Sequence, residues 1–401
     1  MAAFVRVSGL PNRNFLVGYT GISATVPRIQ GTVEVRPSVG YSAPVSVSLV
    51  RICLQRRESI HPAAENMARR HLSAPRRENV DVIGKEYVLY TCTAGRESDS
   101  VVVMDLPFMI FIPYGRGGNE VSRLIPPATL QLPSRTAETF YELVVTVQQG
   151  PSVQHKYSFP IPLLRYDTLS TFGMYNTPKP NRANTDSLAY LEISLPKRSY
   201  GPLDPINVYI RITPNPDFMK KARKVTIEKI TLQVEEEITY NPEGDESTKK
   251  VNKLAKKTEA IRERLPEAGY MTSLGLIFPA RELRDSEGVI KPPKPGFPQY
   301  EVTSFTTSSY LYRIEFFLTI KATLSSARDI IIREPIIVCP FDSESCKQEM
   351  EAIEQAARDA SHIDKHSPRL PSPHVVYANQ TNSLSALGLC LVGDQKKPLI
   401  D

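Results

Sequence analysis

Residues 101–147 constrain the fold of this chain more than any other stretch. Two apolar runs, residues 101–113 and 140–147, are separated by a segment punctuated by prolines. In the second run, β-branched and aromatic residues alternate from Tyr141 to Val147. Alternation of this kind predicts β-strands. Pro107 cannot donate a backbone hydrogen bond, so the first strand is expected at an edge or at a bulge.

The same pattern recurs along the chain, and its length of 401 residues predicts two domains. The 34 prolines outnumber the 20 glycines, which favours short strands joined by stiff turns over a helical bundle. Threonine, asparagine and proline between residues 167 and 186 are typical of a linker. We therefore predict an all-β fold of two antiparallel, immunoglobulin-like β-sandwiches, at residues 1–170 and 187–341, with a linker at 171–186.

Three segments depart from the strand pattern. Residues 246–265 carry apolar residues at three- and four-residue spacing, which predicts a basic amphipathic helix in an insertion near residues 243–268. Residues 342–366 are rich in glutamate, glutamine and alanine and predict a helix on the outside of the second domain. Proline, serine, asparagine and glutamine dominate residues 367–401, which predicts a flexible tail.

The sequence shows no pattern suited to catalysis or metal binding. The five cysteines lie far apart and form no C-x-x-C pair, so we expect reduced thiols and no zinc site. No nucleophile–base pair or lysine-containing phosphate loop is visible. We therefore expect a protein that is not an enzyme and that needs no cofactor or metal. Nucleic acid is not expected as a partner, because aromatic residues do not interleave with the basic ones.

Targeting signals are absent from the sequence as it stands. The N-terminus has no apolar core of a signal peptide, and no window approaches the length of a membrane span. The net charge of +6 is mildly basic. We therefore expect a cytoplasmic protein whose contact with any membrane is peripheral.

The order and spacing of these segments resemble the arrestin family over roughly residues 1–341. In the N-terminal half the resemblance lies in residues 31–35, 106–113, 132–134 and 141–147. In the C-terminal half it lies in residues 191–196, 201–208, 224–227 and 333–338. The opening residues 18–28 are most similar to the fungal arrestin-related trafficking adaptors (alpha-arrestins), in particular the low-dye-binding branch.

This resemblance implies an arrestin-type double sandwich that acts as an adaptor. Such proteins recognise the tails of membrane transporters or receptors and recruit a HECT-type ubiquitin ligase with WW domains, for ubiquitin-dependent endocytosis and sorting. The resemblance also implies recruitment from the cytoplasm to the plasma membrane, Golgi or endosomes.

Two candidate sites follow. Ligase recruitment in the family uses a Pro-Pro-x-Tyr motif, which docks as polyproline II in aromatic grooves. This sequence has no complete copy, and the nearest candidate, which lacks the first proline, comprises Phe297, Pro298 and Tyr300. The second candidate is a basic patch for an anionic membrane surface or an acidic cargo tail, formed by Lys249, Lys250, Lys253, Lys256 and Lys257.

A different class of function remains open at this point. A structural coat or scaffold subunit of the retromer type shares the double sandwich and needs no ubiquitin ligase. A stable stoichiometric complex with other coat proteins on purification would favour that alternative.

Overall fold

The computed structural model describes residues 3–9, 16–37, 44–61, 77–113, 129–132, 136–164, 179–185, 188–242, 247–282, 299–340, 343–365, 368–379, 389–392 and 395–398. The strands of the first half are β1 (Ala3–Gly9), β2 (Leu16–Val17), β3 (Arg28–Pro37), β4 (Val45–Val47), β5 (Leu49–Ile60), β6 (Arg77–Thr91), β7 (Asp99–Phe111), β8 (Leu130–Gln131), β9 (Ala137–Gln149) and β10 (Val153–Pro160). A 3₁₀ turn, Ser23–Thr25, precedes β3.

The strands of the second half are β11 (Lys179–Thr185), β12 (Ala189–Leu195), β13 (Ser199–Tyr200), β14 (Pro205–Pro214), β15 (Thr226–Tyr240), β16 (Thr248–Arg264), β17 (Tyr270–Ile277), β18 (Arg281–Glu282), β19 (Tyr300–Glu301), β20 (Thr307–Ser308), β21 (Tyr312–Ser325) and β22 (Ile330–Val338). A 3₁₀ turn, Pro216–Phe218, leads into the short helix α1 (Met219–Ala222). After β22 come the helix α2 (Ser343–Ala360) and the strands β23 (His374–Tyr377), β24 (Leu389–Val392) and β25 (Gln395–Pro398).

The first sandwich consists of two sheets. One has the order β1-β3-β7-β23, and the other has the order β10-β9-β5-β6. The alternation that the sequence shows in β9 is the cause of this packing, because Tyr141, Leu143 and Val145 all point into the core between the sheets. Pro107 pairs with Thr32 of β3 on one side and lies beyond the end of the β23 pairing on the other, as expected for a residue that cannot donate.

The second sandwich repeats this arrangement. One sheet has the order β11-β12-β14-β17, and the other has the order β13-β22-β21-β15-β16. In β14, Pro205 and Pro214 bound the strand, and the even-numbered residues from Ile206 to Ile212 are buried. The all-β fold of two antiparallel sandwiches is therefore as predicted, with β13 and β22 as a parallel exception.

The predicted linker is partly strand. Within residues 171–186, Lys179–Thr185 forms β11, which pairs along its length with β12. The other residues of that segment, 171–178 and 186, lie outside the described residues. Polar composition suggested a linker, but β12 has a free edge on that side, and pairing with it satisfies the backbone.

The C-terminal region differs from the prediction in two respects. Helix α2 packs against the 3₁₀ turn Ser23–Thr25 of the first sandwich, whereas the sequence placed it on the second domain. The tail, predicted to be flexible from residue 367, contributes β23 to the edge of β7, where Val376 is buried against Val102 and Val103. A short apolar run in a polar tail is sufficient here, because the edge of β7 supplies both hydrogen bonds and an apolar surface.

Candidate functional site

The basic helix predicted at residues 246–265 is instead a strand. β16 pairs antiparallel with β15, from Arg264 opposite Thr226 to Thr248 opposite Tyr240. A helix would stack Lys249, Lys253 and Lys257 at four-residue intervals, and like charges at that spacing destabilise a helix. The long strand β15 offers an edge for pairing, and that long-range contact overrides the local apolar spacing.

The strand β16 is the last strand of its sheet and pairs with β15 alone among the described strands. Residues opposite each other in an antiparallel pair share a face, so the register divides the five lysines. The outer face of the sheet carries Lys249, Lys253 and Lys256. The core side carries Lys250 and Lys257, opposite buried residues of β15. The structure thus brings all five candidate lysines onto one edge strand but not onto one face.

Lys249 has a structural partner on the neighbouring strand. Nζ of Lys249 donates to Oε1 of Glu237 at 2.8 Å, and Nη2 of Arg333 donates to Oε2 of the same carboxylate at 2.8 Å. The Arg333 guanidinium also contacts Glu235 at 3.2 Å and lies 3.5 Å from the centroid of the Phe317 ring. Lys249 is therefore part of an ion-pair network that covers the outer face of the sheet.

The five lysines differ in burial and in ion pairing. The hydrogen bond from Lys249 lowers the pKa of Glu237, burial opposes it, and the contact with Arg333 lowers the pKa further. Burial lowers the pKa of Lys250, which is half-buried. Lys253, Lys256 and Lys257 are exposed, and none forms a salt bridge with another residue that the structure describes. These three residues, which we call the basic edge, are available to an acidic ligand.

The described residues include only part of the second candidate site. Tyr300 lies on β19, half-buried, and pairs with Glu282 of β18. The ion pair between Arg281 and Glu301, 2.8 Å long, links the same two strands. Phe297 and Pro298 lie outside the described residues. Ligase docking at these residues therefore stays a prediction.

The comparison with family models bears on the second sandwich. Residues 185–342 match the family model "Arrestin (or S-antigen), C-terminal domain". The second sandwich is therefore an arrestin C-terminal domain. The basic edge therefore lies on an arrestin C-terminal domain. This domain supports a general role as an arrestin-like trafficking adaptor. No curated protein matches the chain. The fungal branch suggested by residues 18–28 stays a prediction.

Two further observations concern metal binding and membrane spans. Among the residues that the structure places, none of the His, Cys, Asp and Glu side chains form a group of three or more that could hold a metal ion. Within the described ranges, no helix has the length and apolar character needed to cross a membrane.

A polar cluster lies where the first sandwich meets the second. Glu58 of β5 is fully buried, and its Oε2 accepts hydrogen bonds from the backbone N–H groups of Tyr310 (3.1 Å) and Leu311 (3.3 Å). Its Oε1 lies 3.1 Å from Nε of Arg56, and Nη2 of Arg56 donates to Asp81 at 2.9 Å. Glu58 therefore joins the two sandwiches through backbone groups of the second.

Side chains cross the same boundary. The hydroxyls of Thr139 and Tyr312 are 2.7 Å apart, and the hydroxyl of Tyr240 donates to that of Thr136 at 3.0 Å. Sequence reasoning missed this cluster, although β5 contains a signal for it. Along that strand the even-numbered positions point inward, and Arg56 and Glu58 occupy two of them. Charges at core-facing positions of a strand indicate a buried, paired cluster.

Proposed function

We propose that this chain is a non-catalytic, arrestin-like trafficking adaptor that binds acidic tails of membrane cargo. The observation that carries the proposal is the basic edge on the last strand of an arrestin C-terminal domain. Its three lysines are exposed and form no ion pair with any residue that the structure describes. An acidic ligand can pair with these exposed lysines without displacing a carboxylate. At Lys249 the ligand would have to compete with Glu237.

The mechanism combines charge with strand pairing. The free backbone edge of β16 can accept an extended cargo segment as an added strand. Lysines on both faces of β16 then contact acidic residues on either side of that segment. The inner leaflet of a membrane is anionic, so the same lysines favour recruitment of the adaptor from the cytoplasm to the plasma membrane, Golgi or endosomes.

Charge reversal of the basic edge tests this proposal. In the variant Lys253→Glu/Lys256→Glu/Lys257→Glu, binding to an acidic extended peptide or to phosphatidylserine vesicles should fall roughly a hundredfold, since each basic residue near such a surface contributes about 1 kcal/mol. Fluorescence anisotropy and vesicle co-sedimentation measure these affinities. Lys249 is left unchanged because its reversal would also break the contact with Glu237.

The matched control makes the same charge change elsewhere on the domain. Lys220, Lys221 and Lys224 are exposed and lie before β15, at the other end of the sheet. Their reversal to glutamate should weaken binding much less than reversal of the basic edge. Equal losses in the two variants would show that net charge alone governs binding, and unchanged binding in the first would remove the basic edge from the proposal.

We further propose that the adaptor recruits a HECT-type ubiquitin ligase through the segment from Phe297 to Tyr300. Support comes from the resemblance of the chain to arrestin-related adaptors and from the Pro-x-Tyr remnant of the docking motif. In such a motif the tyrosine and the proline fill adjacent aromatic grooves of a WW domain.

Replacement of Tyr300 tests ligase recruitment. Immobilised WW domains should retain the wild-type chain and lose Tyr300→Ala, because the variant lacks the ring that enters the groove. The control is Tyr310→Ala, which removes another tyrosine that is exposed to solvent. If Tyr300→Ala and Tyr310→Ala are retained equally, the ligase does not dock at this segment.

A further inference from the structure

The strand β17 forms a second free edge in the arrestin C-terminal domain. β17 is the last strand in the order β11-β12-β14-β17 and pairs with β14 alone among the described strands. Proteins normally protect such edges with charged side chains, prolines or bulges. β17 (residues 270–277, Tyr-Met-Thr-Ser-Leu-Gly-Leu-Ile) contains no charged residue and no proline, and its pairing with β14 has no register shift.

The register shows which backbone groups face the free edge. In an antiparallel pair, alternate residues direct their N–H and C=O groups to the same neighbour. The N–H of Phe278 donates to the carbonyl of Asp204, so the even-numbered residues of β17 face β14. The N–H of Asn215 donates to the carbonyl of Leu188, so the odd-numbered residues of β14 face β12. The even-numbered residues of β14 therefore face β17, in agreement with the first bond. The open edge therefore consists of the backbone groups of Met271, Ser273, Gly275 and Ile277.

The side chains of these four residues share one face. Met271 is 73% exposed and Ile277 is 63% exposed, while Leu274 between them is buried in the core. Small residues, Ser273 and Gly275, occupy the middle of the edge. The edge therefore has two large apolar ends and a narrow centre, with every outward backbone group lacking a strand partner in the described residues.

This edge is complementary to itself. If two copies of β17 pair antiparallel about a two-fold axis at Leu274, Met271 lies opposite Ile277 of the second copy, and Ser273 lies opposite Gly275. All four residues have outward N–H and C=O groups, so the register forms hydrogen-bonded pairs throughout. The exposed apolar side chains meet each other, and the absence of charge on β17 avoids like-charge repulsion between the copies.

We propose that the chain forms a two-fold symmetric dimer through antiparallel pairing of β17, which joins the two four-stranded sheets into one. A pair of eight-residue strands buries less than the roughly 1,600 Å² of a standard interface, so the dimer is weak and concentration-dependent. A dimer carries two basic edges, and recruitment to a membrane raises the local concentration that favours it.

Sedimentation velocity on the full chain tests the dimer. The weight-average mass of the wild type should rise above 44.9 kDa and approach twice that value as the concentration increases from about 1 to 100 μM. The variants Met271→Lys/Ile277→Lys and Met271→Glu/Ile277→Glu should each stay at the monomer mass, because like charges face each other in both. Both side chains are exposed, so the variants should fold and melt as the wild type does.

The register is tested by mixing the two charge variants. In an equimolar mixture each lysine faces a glutamate of the other chain, so the dimer mass should return. Ile331→Lys, at another exposed isoleucine, is the control and should leave dimerisation unchanged. A wild type that stays monomeric over this range would overturn the dimer and leave the edge to an extended peptide. Failure of the mixture to associate would overturn the proposed register.

Discussion

Replacing Glu58 with alanine is expected to lower the free energy of unfolding by about 3–5 kcal/mol. The substitution leaves the amides of Tyr310 and Leu311 without their acceptor and removes one of the two acidic partners of Arg56. The two sandwiches lose a direct link at the same time. Chemical denaturation measures the global effect, and hydrogen exchange at the amides of residues 310 and 311 measures the local one.

Glu58→Gln is the matched control, since glutamine keeps an acceptor oxygen but carries no charge. Burial raises the pKa of Glu58, although Arg56 and the amides of Leu311 and Tyr310 oppose the rise. Folding therefore disfavours the charged form relative to the neutral one, and Asp81 remains as a partner of Arg56. We expect Glu58→Gln to cost about 1 kcal/mol, well below the cost of Glu58→Ala. A loss as large as that of alanine would show that the charge, rather than the acceptor, links the sandwiches.

The raised pKa also gives the sign of a pH effect within this comparison. The folded state binds the proton of Glu58 more tightly than the unfolded chain, whose glutamate pKa is about 4.3. The contribution of Glu58 to stability therefore increases as the pH falls through the folded pKa towards the unfolded value. Glu58→Gln should lack this contribution. As the pH falls through this range, the free energy of unfolding of Glu58→Gln should therefore decrease relative to that of the wild type.

Replacing Val376 with aspartate is expected to detach β23 from the first sandwich. Val376 is buried against Val102 and Val103, and burying a valine contributes about 1.5–3 kcal/mol. An aspartate cannot remain ionised in that position without a partner, so the strand should leave β7. Cleavage within residues 374–377 by a protease should become roughly 10- to 100-fold faster, because each 1.4 kcal/mol of lost docking gives a factor of ten.

The control for this variant is Leu370→Asp, which introduces the same charge six residues earlier at an exposed position. It should leave β23 protected. Detachment would also expose the edge of β7 from Val101 to Asp105, so Val376→Asp should aggregate more readily than the wild type. Full protection of residues 374–377 in Val376→Asp would show that the strand is held mainly by its backbone hydrogen bonds and by contacts outside the cluster.

The misassigned basic helix shows where local patterns are insufficient. Val251, Leu254 and Ile261 have the spacing of a helix face, yet Val251 is largely exposed in the strand that forms. The pattern could not reveal that β15 has an open edge beside it. Nor could it reveal that Lys249 has a partner in Glu237 and Arg333, because Arg333 is more than eighty residues away in the chain.

The sequence by itself determined the strand character of most of the chain, its division into two sandwiches and its resemblance to arrestins. Period-two alternation, as in β9 and β14, is a local property, because neighbouring side chains on a strand point to opposite faces. The tertiary structure alone decided that the basic segment is an edge strand, that the tail contributes β23 and that Glu58 accepts from the amides of Tyr310 and Leu311 in the second sandwich. Each of these depends on an unpaired strand edge or a polar partner from residues distant in the chain. Local residue spacing does not reveal which distant residues provide that edge or partner.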